Sequence, residues 1–145
     1  MNIKAILLAT DFSDCSDVAS RYAVSLARDS GARLHFVHVI DSQSYGSHSG
    51  GLLDQNDSLM KEMLNEIAAD EPGLKFESHL LGGDPADEIV EYVKDKQVDL
   101  VVVGTHGRTG MSRLLMGSVA QALMRNAPCP VLTVKSTERI AEGVS

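Results

Sequence analysis

Cysteine is scarce in this chain. Cys15 and Cys129 lie far apart with no C-x-x-C pair, so neither a zinc site nor a redox pair has support, and both read as free thiols. Cys129, between Pro128 and Pro130 ahead of an apolar run, reads as a small buried hydrophobe. Cys15 sits near a helix start, where a thiolate can be stabilised. Basic side chains are also short, 13 against 20 acidic ones. A duplex backbone needs clustered positive charge, so DNA and RNA are disfavoured as partners. No apolar run reaches membrane-spanning length, and the stretch Ile6 to Ala9, with Asp11 close behind and no basic lead, does not make a secretory signal. The reading is a cytoplasmic protein with no membrane partner. The five histidines, His35, His38, His48, His79 and His106, show neither H-x-x-x-H nor H-E-x-x-H spacing, which leaves a metal cluster without support. No G-x-x-x-x-G-K-[ST] run is present, and no Ser-His-Asp set or carboxylate pair can be assigned from spacing.

What is present is the make-up of an ordinary globular chain. At 145 residues, 43% apolar and 23% charged, residues 1–145 are expected to form one domain around one core, burying roughly two-thirds of the unfolded surface. Ile3 to Ala9 reads as a buried strand. A helix follows, with Asp14 as its cap, apolar residues from Val18 to Ala27 at helical period, and Gly31 as its stop. Leu34 to Ile40 is a second strand, and Asp41 to Gly51 a polar Ser- and Gly-rich loop, the segment best suited to motion. A helix from Leu53 or Asp54 carries Leu59, Met60, Met63, Leu64 and Ile67 on one face and stops before Pro72-Gly73. Lys75 to Leu81 is a third strand; Asp84-Pro85 caps and opens a helix to about Lys96, with Ala86, Ile89, Val90 and Val93 inward. Val98 to Val103, a helix from Ser118 to Asn126 and the strand Val131 to Val134 complete the pattern, and no internal repeat is visible. Five strands alternating with helices select a parallel α/β sheet, doubly wound, with helices on both faces. In such sheets ligands bind beyond the strand carboxyl ends where the order reverses. An order of 3-2-1-4-5 brings Thr10-Asp11, ending the first strand, and Gly104 to Gly107, ending the fourth, to one crevice.

The glycine segment carries the chemistry. Gly104-Thr105-His106-Gly107, nine residues, then Gly117-Ser118 follows an apolar strand and leads into a helix, so backbone N–H groups and a positive helix end converge on one point. That is a phosphate cradle, or else a plain glycine-rich loop. Gly104, Gly107 and Gly110 are spaced G-x-x-G-x-x-G, neither a P-loop nor a dinucleotide fingerprint. The cradle contains no lysine, so side-chain charge falls to Arg108 or Arg113 and backbone N–H groups do most of the binding. Asp11 can hold a ribose hydroxyl or a phosphate-bound magnesium ion, or serve as a turn aspartate. A receiver domain is excluded, because the third strand ends Leu80-Leu81-Gly82 without a phospho-acceptor aspartate. His106 can donate to a phosphate or be a satisfied loop histidine.

These residues resemble the nucleotide-binding branch of the universal stress protein family, whose pattern is G-x2-G-x9-G-[ST]. Gly104, Gly107, Gly117 and Ser118 fill its four positions, and Thr10-Asp11-Phe12-Ser13, His38-Val39-Ile40 and Pro130 to Val134 are similar to the family over nearly the whole chain. Family members often carry proline where this chain has Ala9. The resemblance implies a five-stranded Rossmann-like α/β domain binding ATP with Mg²⁺. It implies Asp11 at the ribose or metal, the backbone of Val39 near the adenine, and Gly107, Gly117 and Ser118 at the phosphates, with Val119 and Ala120 adding N–H groups. Ala9, Thr10, Gly104, His106 and Arg108 complete the nucleotide-binding set. It also implies a homodimer through Val131, Leu132, Thr133 and Val134, an apolar terminal strand that a two-fold mate can cover. The function implied is nucleotide-dependent regulation in stress response, through a protein partner the residues do not name. Hydrolysis is at most slow, since only His106, Arg108 and Arg113 are available for phosphoryl transfer. Two other readings stay open at this point, an ATP-hydrolysing or nucleotidyl-transferring enzyme and a nucleotide-free dimeric interaction module.

Overall fold

The computed structural model describes residues 2–41, 49–106 and 116–135. Along the chain run β1 (Ala5–Ala9), α1 (Asp14–Ser30), β2 (Arg33–Asp41), α2 (Ser49–Asp70), β3 (Phe76–Gly83), α3 (Pro85–Lys96), β4 (Leu100–Gly104), α4 (Ser118–Asn126) and β5 (Val131–Val134). The strands form one sheet in the order β3-β2-β1-β4-β5, every neighbouring pair parallel. The expected order 3-2-1-4-5 is therefore the observed one.

Alternation along each strand sorts the core into two layers. Ile6, Leu8, Leu34, Phe36 and Val102 pack with Ala19, Ala23 and Ala27 of α1 and Met60 of α2. Leu7, Ala9, Val37, Val39, Val101 and Val103 pack with Ile89, Tyr92 and Val93 of α3 and Ala120 and Leu123 of α4. Central strands covered on both faces have no polar side, which is why β1 and β4 are almost uninterrupted apolar runs. The three alanines of α1 sit one helical turn apart and let that helix lie close to the sheet.

Local chemistry sets the element ends, in places differently from the expectation. Ser13, not Asp14, caps α1, its Oγ accepting from Ser16 N–H at 3.2 Å; the hydroxyl sits one residue nearer the turn, where the backbone is extended. Gly31, at φ 75°, closes the helix in the left-handed conformation as expected. Asp84 caps α3 by accepting from Asp87 N–H at 3.0 Å, with Pro85 in the first turn. β1 starts at Ala5 rather than Ile3, because the Asp99 carboxylate takes the N–H groups of Lys4 and Ala5 at 2.8 and 3.0 Å. β4 starts at Leu100 rather than Val98, whose N–H donates back to Val93 O at 3.0 Å. β2 extends through Asp41, and α2 begins at Ser49, so the expected loop 41–51 is shorter than read; residues 42–48 lie outside the described residues. On α2 Met60 is buried and Met63, Leu64 and Ile67 pack beside it; Asn56 is buried as well, and Leu59 is only partly so.

Candidate functional site

At the carboxyl ends of β1 and β4, where the strand order reverses, a crevice of about 410 Å³ opens on the α3–α4 side of the sheet. Ala9 lines it from β1 and Thr10 and Asp11 from the turn that follows, Val39 and Asp41 from β2, and Gly104 and His106 from β4 and the turn beyond. Gly117, Ser118, Val119 and Ala120 face them from the start of α4. Ten of the expected site residues thus meet at one cavity; Gly107 and Arg108, with Arg113, lie outside the described residues.

The β1–α1 turn is tied tightly. Thr10 is buried, and its Oγ1 accepts from Ser16 Oγ at 2.7 Å and from Phe12 N–H at 3.2 Å. Asp11 N–H donates to Ser16 Oγ at 3.2 Å, and Asp11 Oδ1 accepts from Ser13 N–H at 3.0 Å. Phe12 takes the left-handed conformation, φ 64°, a cost of roughly 1 kcal/mol or more for a bulky residue. Its ring rests on His38 at 4.7 Å, and His38 Nδ1–H donates to Thr10 O at 2.7 Å. Asp11 is therefore a turn residue by structure, and its carboxylate is held at the cavity wall.

Across the crevice the chain leaves β4 through Thr105 and His106 and returns at Met116. Gly117 N–H donates to Thr105 O at 2.6 Å, so that amide closes the loop and is not available to an anion. Gly117 is the N-cap of α4 and brings no side-chain cap. Ser118, Val119 and Ala120 occupy positions N1 to N3, whose N–H groups a helix cannot satisfy from within. Gly104 meets a different need: a Cβ there would lie 2.9 Å from Cys15 Sγ and 3.1 Å from the Cys15 carbonyl, so this glycine lets α1 approach the end of β4. Cys15 is buried and donates its thiol proton to Val134 O at 3.2 Å. Cys129 is partly buried against the α3–α4 layer, and burial pushes its thiol up.

The sequence reading missed several wall residues: Thr105, His38, Ser16, Asp41, Pro85 and Ile89. Two carried a usable signal. Asp41 follows Val37 and Val39 at period two on the same face of β2, and Ile89 lies one turn inside a helix whose Asp84-Pro85 start fixes its origin beside β3. Among the described residues no lysine or arginine lines the crevice, and no group of three His, Cys, Asp or Glu side chains could hold a metal ion. Its positive end is the start of α4.

Fold and site together define a doubly wound α/β protein with a crevice at its switch point. The chain belongs to the universal stress protein family, whose model matches residues 2–135. A universal stress protein of Methanocaldococcus jannaschii is 38% identical over 143 aligned positions, covering 94% of this chain and 84% of that one. Among solved structures, the universal stress protein UspA of Lactobacillus plantarum superposes with a TM-score of 0.81 at 25% identity, covering 92% of this chain and 99% of that one. The universal stress protein of Archaeoglobus fulgidus, solved in complex with dAMP, gives 0.67 at 26% identity, covering 93% and 100%.

Proposed function

We propose that this protein is a nucleotide-dependent regulator of the stress-response type, binding an adenine nucleotide, ATP with magnesium, in the crevice and hydrolysing it slowly at most. One observation carries the reading: an uncapped helix start, whose first three residues line a cavity of about 410 Å³, shares that cavity with Asp11 and an apolar wall. An anion belongs at the helix start and a flat apolar base against Ala9, Val39, Val103 and Ile89. The dAMP complex of the Archaeoglobus fulgidus relative supports the same ligand class. The residues fit a magnesium ion that arrives on the phosphates, with Asp11 as its protein contact, since Mg²⁺ takes carboxylate, water and phosphate oxygens. A binding role over rapid turnover fits a sequence that offers only His106, Arg108 and Arg113 for phosphoryl transfer. We further assign a homodimer to the outer edge of β5.

Mg-ATP at a hundred-fold excess over Kd is expected to stabilise the fold by about 2.7 kcal/mol. Gly117→Asp should remove that gain, because its carboxylate caps α4 and occupies the anion's place, while the unliganded fold changes by only a few tenths of a kcal/mol. Calorimetric scans of both proteins, with mass spectrometry of any nucleotide released on denaturation, provide the check. A wild type whose Tm ignores millimolar Mg-ATP would sink the reading.

A further inference from the structure

We propose that His106 donates a hydrogen bond from Nε2 to an anionic oxygen of the bound ligand, a nucleotide phosphate, and that Thr105 is the positioning residue that keeps the proton on that nitrogen. This rests on the nucleotide reading above.

A carbonyl can only accept, so the Cys15 thiol proton goes to Val134 O at 3.2 Å. The thiol then has no proton left for Thr105 Oγ1, 3.8 Å from Sγ. The Thr105 hydroxyl proton has two destinations, that sulfur, a weak acceptor, or His106 Nδ1 at 3.0 Å. The imidazole nitrogen is nearer and the stronger acceptor, so it receives the proton. A neutral imidazole that accepts at Nδ1 carries its own proton at Nε2, and the charged ring carries one there as well. Among the described residues, His106 Nε2 is the buried side-chain polar atom with no hydrogen-bond partner, and His106 lines the crevice. A buried donor left unpaired is unfavourable, and an incoming acceptor removes that penalty. The Gly117 N–H on Thr105 O, at 2.6 Å, sets this donor beside the start of α4, so an anion at the helix end is the acceptor within reach.

The tautomer is read in ¹⁵N-labelled, ligand-free protein by long-range ¹H–¹⁵N correlation, with protonated Nε2 and bare Nδ1 expected for His106. Calorimetric titration with adenosine, AMP and ADP then separates base from phosphate. His106→Ala should weaken AMP and ADP by roughly ten- to a hundred-fold and leave adenosine unchanged. His106→Gln, whose amide N–H can stand in for Nε2, should recover most of the loss. Thr105→Val should mix the two tautomers in the spectrum and weaken ADP by less than His106→Ala. A proton found on Nδ1 in the wild type overturns the assignment even if Thr105→Val fails to fold. Equal losses for adenosine and ADP in His106→Ala, or no loss, also overturn it while leaving nucleotide binding intact. A wild type that binds none of the three ligands overturns the nucleotide reading and this inference with it.

Discussion

A single missing methyl at Gly104 decides how closely α1 approaches the sheet. A Cβ at that position would meet Cys15 Sγ at 2.9 Å and the Cys15 carbonyl carbon and oxygen at 3.1 Å, below ordinary contact. Gly104→Ala is therefore expected to cost about 1–3 kcal/mol of stability by overpacking. Two of the three opposing atoms are backbone, so Cys15→Ala in the same chain should recover only part of that cost. Urea denaturation of the two single variants and the double variant measures the coupling; a Gly104→Ala protein within a few tenths of a kcal/mol of wild type contradicts the packing account. The glycines of the family motif are thus not one kind of residue. Gly104 makes room for a helix, and Gly117 leaves a helix start uncapped.

At the scale of elements, β5 is one of the two edge strands of the sheet, β3 being the other. Pro130 O and Val134 O accept from Val101 N–H and Thr105 N–H, so by parallel alternation residues 130, 132 and 134 bond towards β4 while 131 and 133 turn their amides outward. Val131 packs on the α3–α4 layer and Val134 is buried, which makes Leu132, 37% exposed, the apolar side chain left at this edge. Thr133→Pro removes an outward N–H without breaking the ladder to β4 and should convert the proposed dimer to a folded monomer. Sedimentation at micromolar concentration decides it: a wild-type monomer, or a variant that still dimerises, rules out this edge. Which strands and helices exist was legible because the helices bury periodic apolar faces and the central strands are near-continuous apolar runs; β5 and α4 fall where the residues place them. Boundaries were lost where distant groups intervene. Asp99 takes the amides of Lys4 and Ala5 from 95 and 94 residues away, which no local window contains. Gly50 and Gly51 read as loop by propensity, yet stand within α2. At the site, motif residues were legible from spacing, whereas Ser16 and His38 owe their places to bonds with Thr10 that form only once α1 and β2 pack at the end of β1.

The molecule as a whole should show an acid-dependent stability that originates away from the crevice. His35 on β2 is buried, its Nδ1 2.7 Å from Tyr92 Oη of α3. Around them stand Arg33 of β2, Glu77 and His79 of β3, and Lys96 and Asp95 of α3. Burial lowers the His35 pKa below its ordinary 6.5, with the neighbouring Glu77 opposing, and pushes the Tyr92 phenol up to about 12. A histidine whose folded pKa is depressed binds its proton more readily in the unfolded chain. Stability should therefore fall as pH drops below 6.5 and level off below the folded value. Glu77, held below the ordinary carboxylate range by its bond with His79, adds a loss in the same direction only as pH falls through its lower range. Urea midpoints from about pH 8 to about pH 5 should decline in the wild type and decline less in His35→Gln. A flat wild-type profile across that span is the contrary result.

The strand order carries a consequence for synthesis. β1 is made first and stands at the centre of the sheet, paired to β2 on one side and to β4, complete only at Gly104, on the other. A nascent chain holding β1, β2 and β3 has one half of the sheet and an open flank along Ile6 to Ala9, which no hairpin-like local contact can cover. The crevice takes Thr10 from the opening strand and Ser118 from the last helix, so it does not exist until nearly all of the described chain has emerged. A ligand of this crevice can therefore reward only the finished fold. It cannot guide the early steps, and a ribosome-bound fragment ending before α4 should be indifferent to it at any concentration.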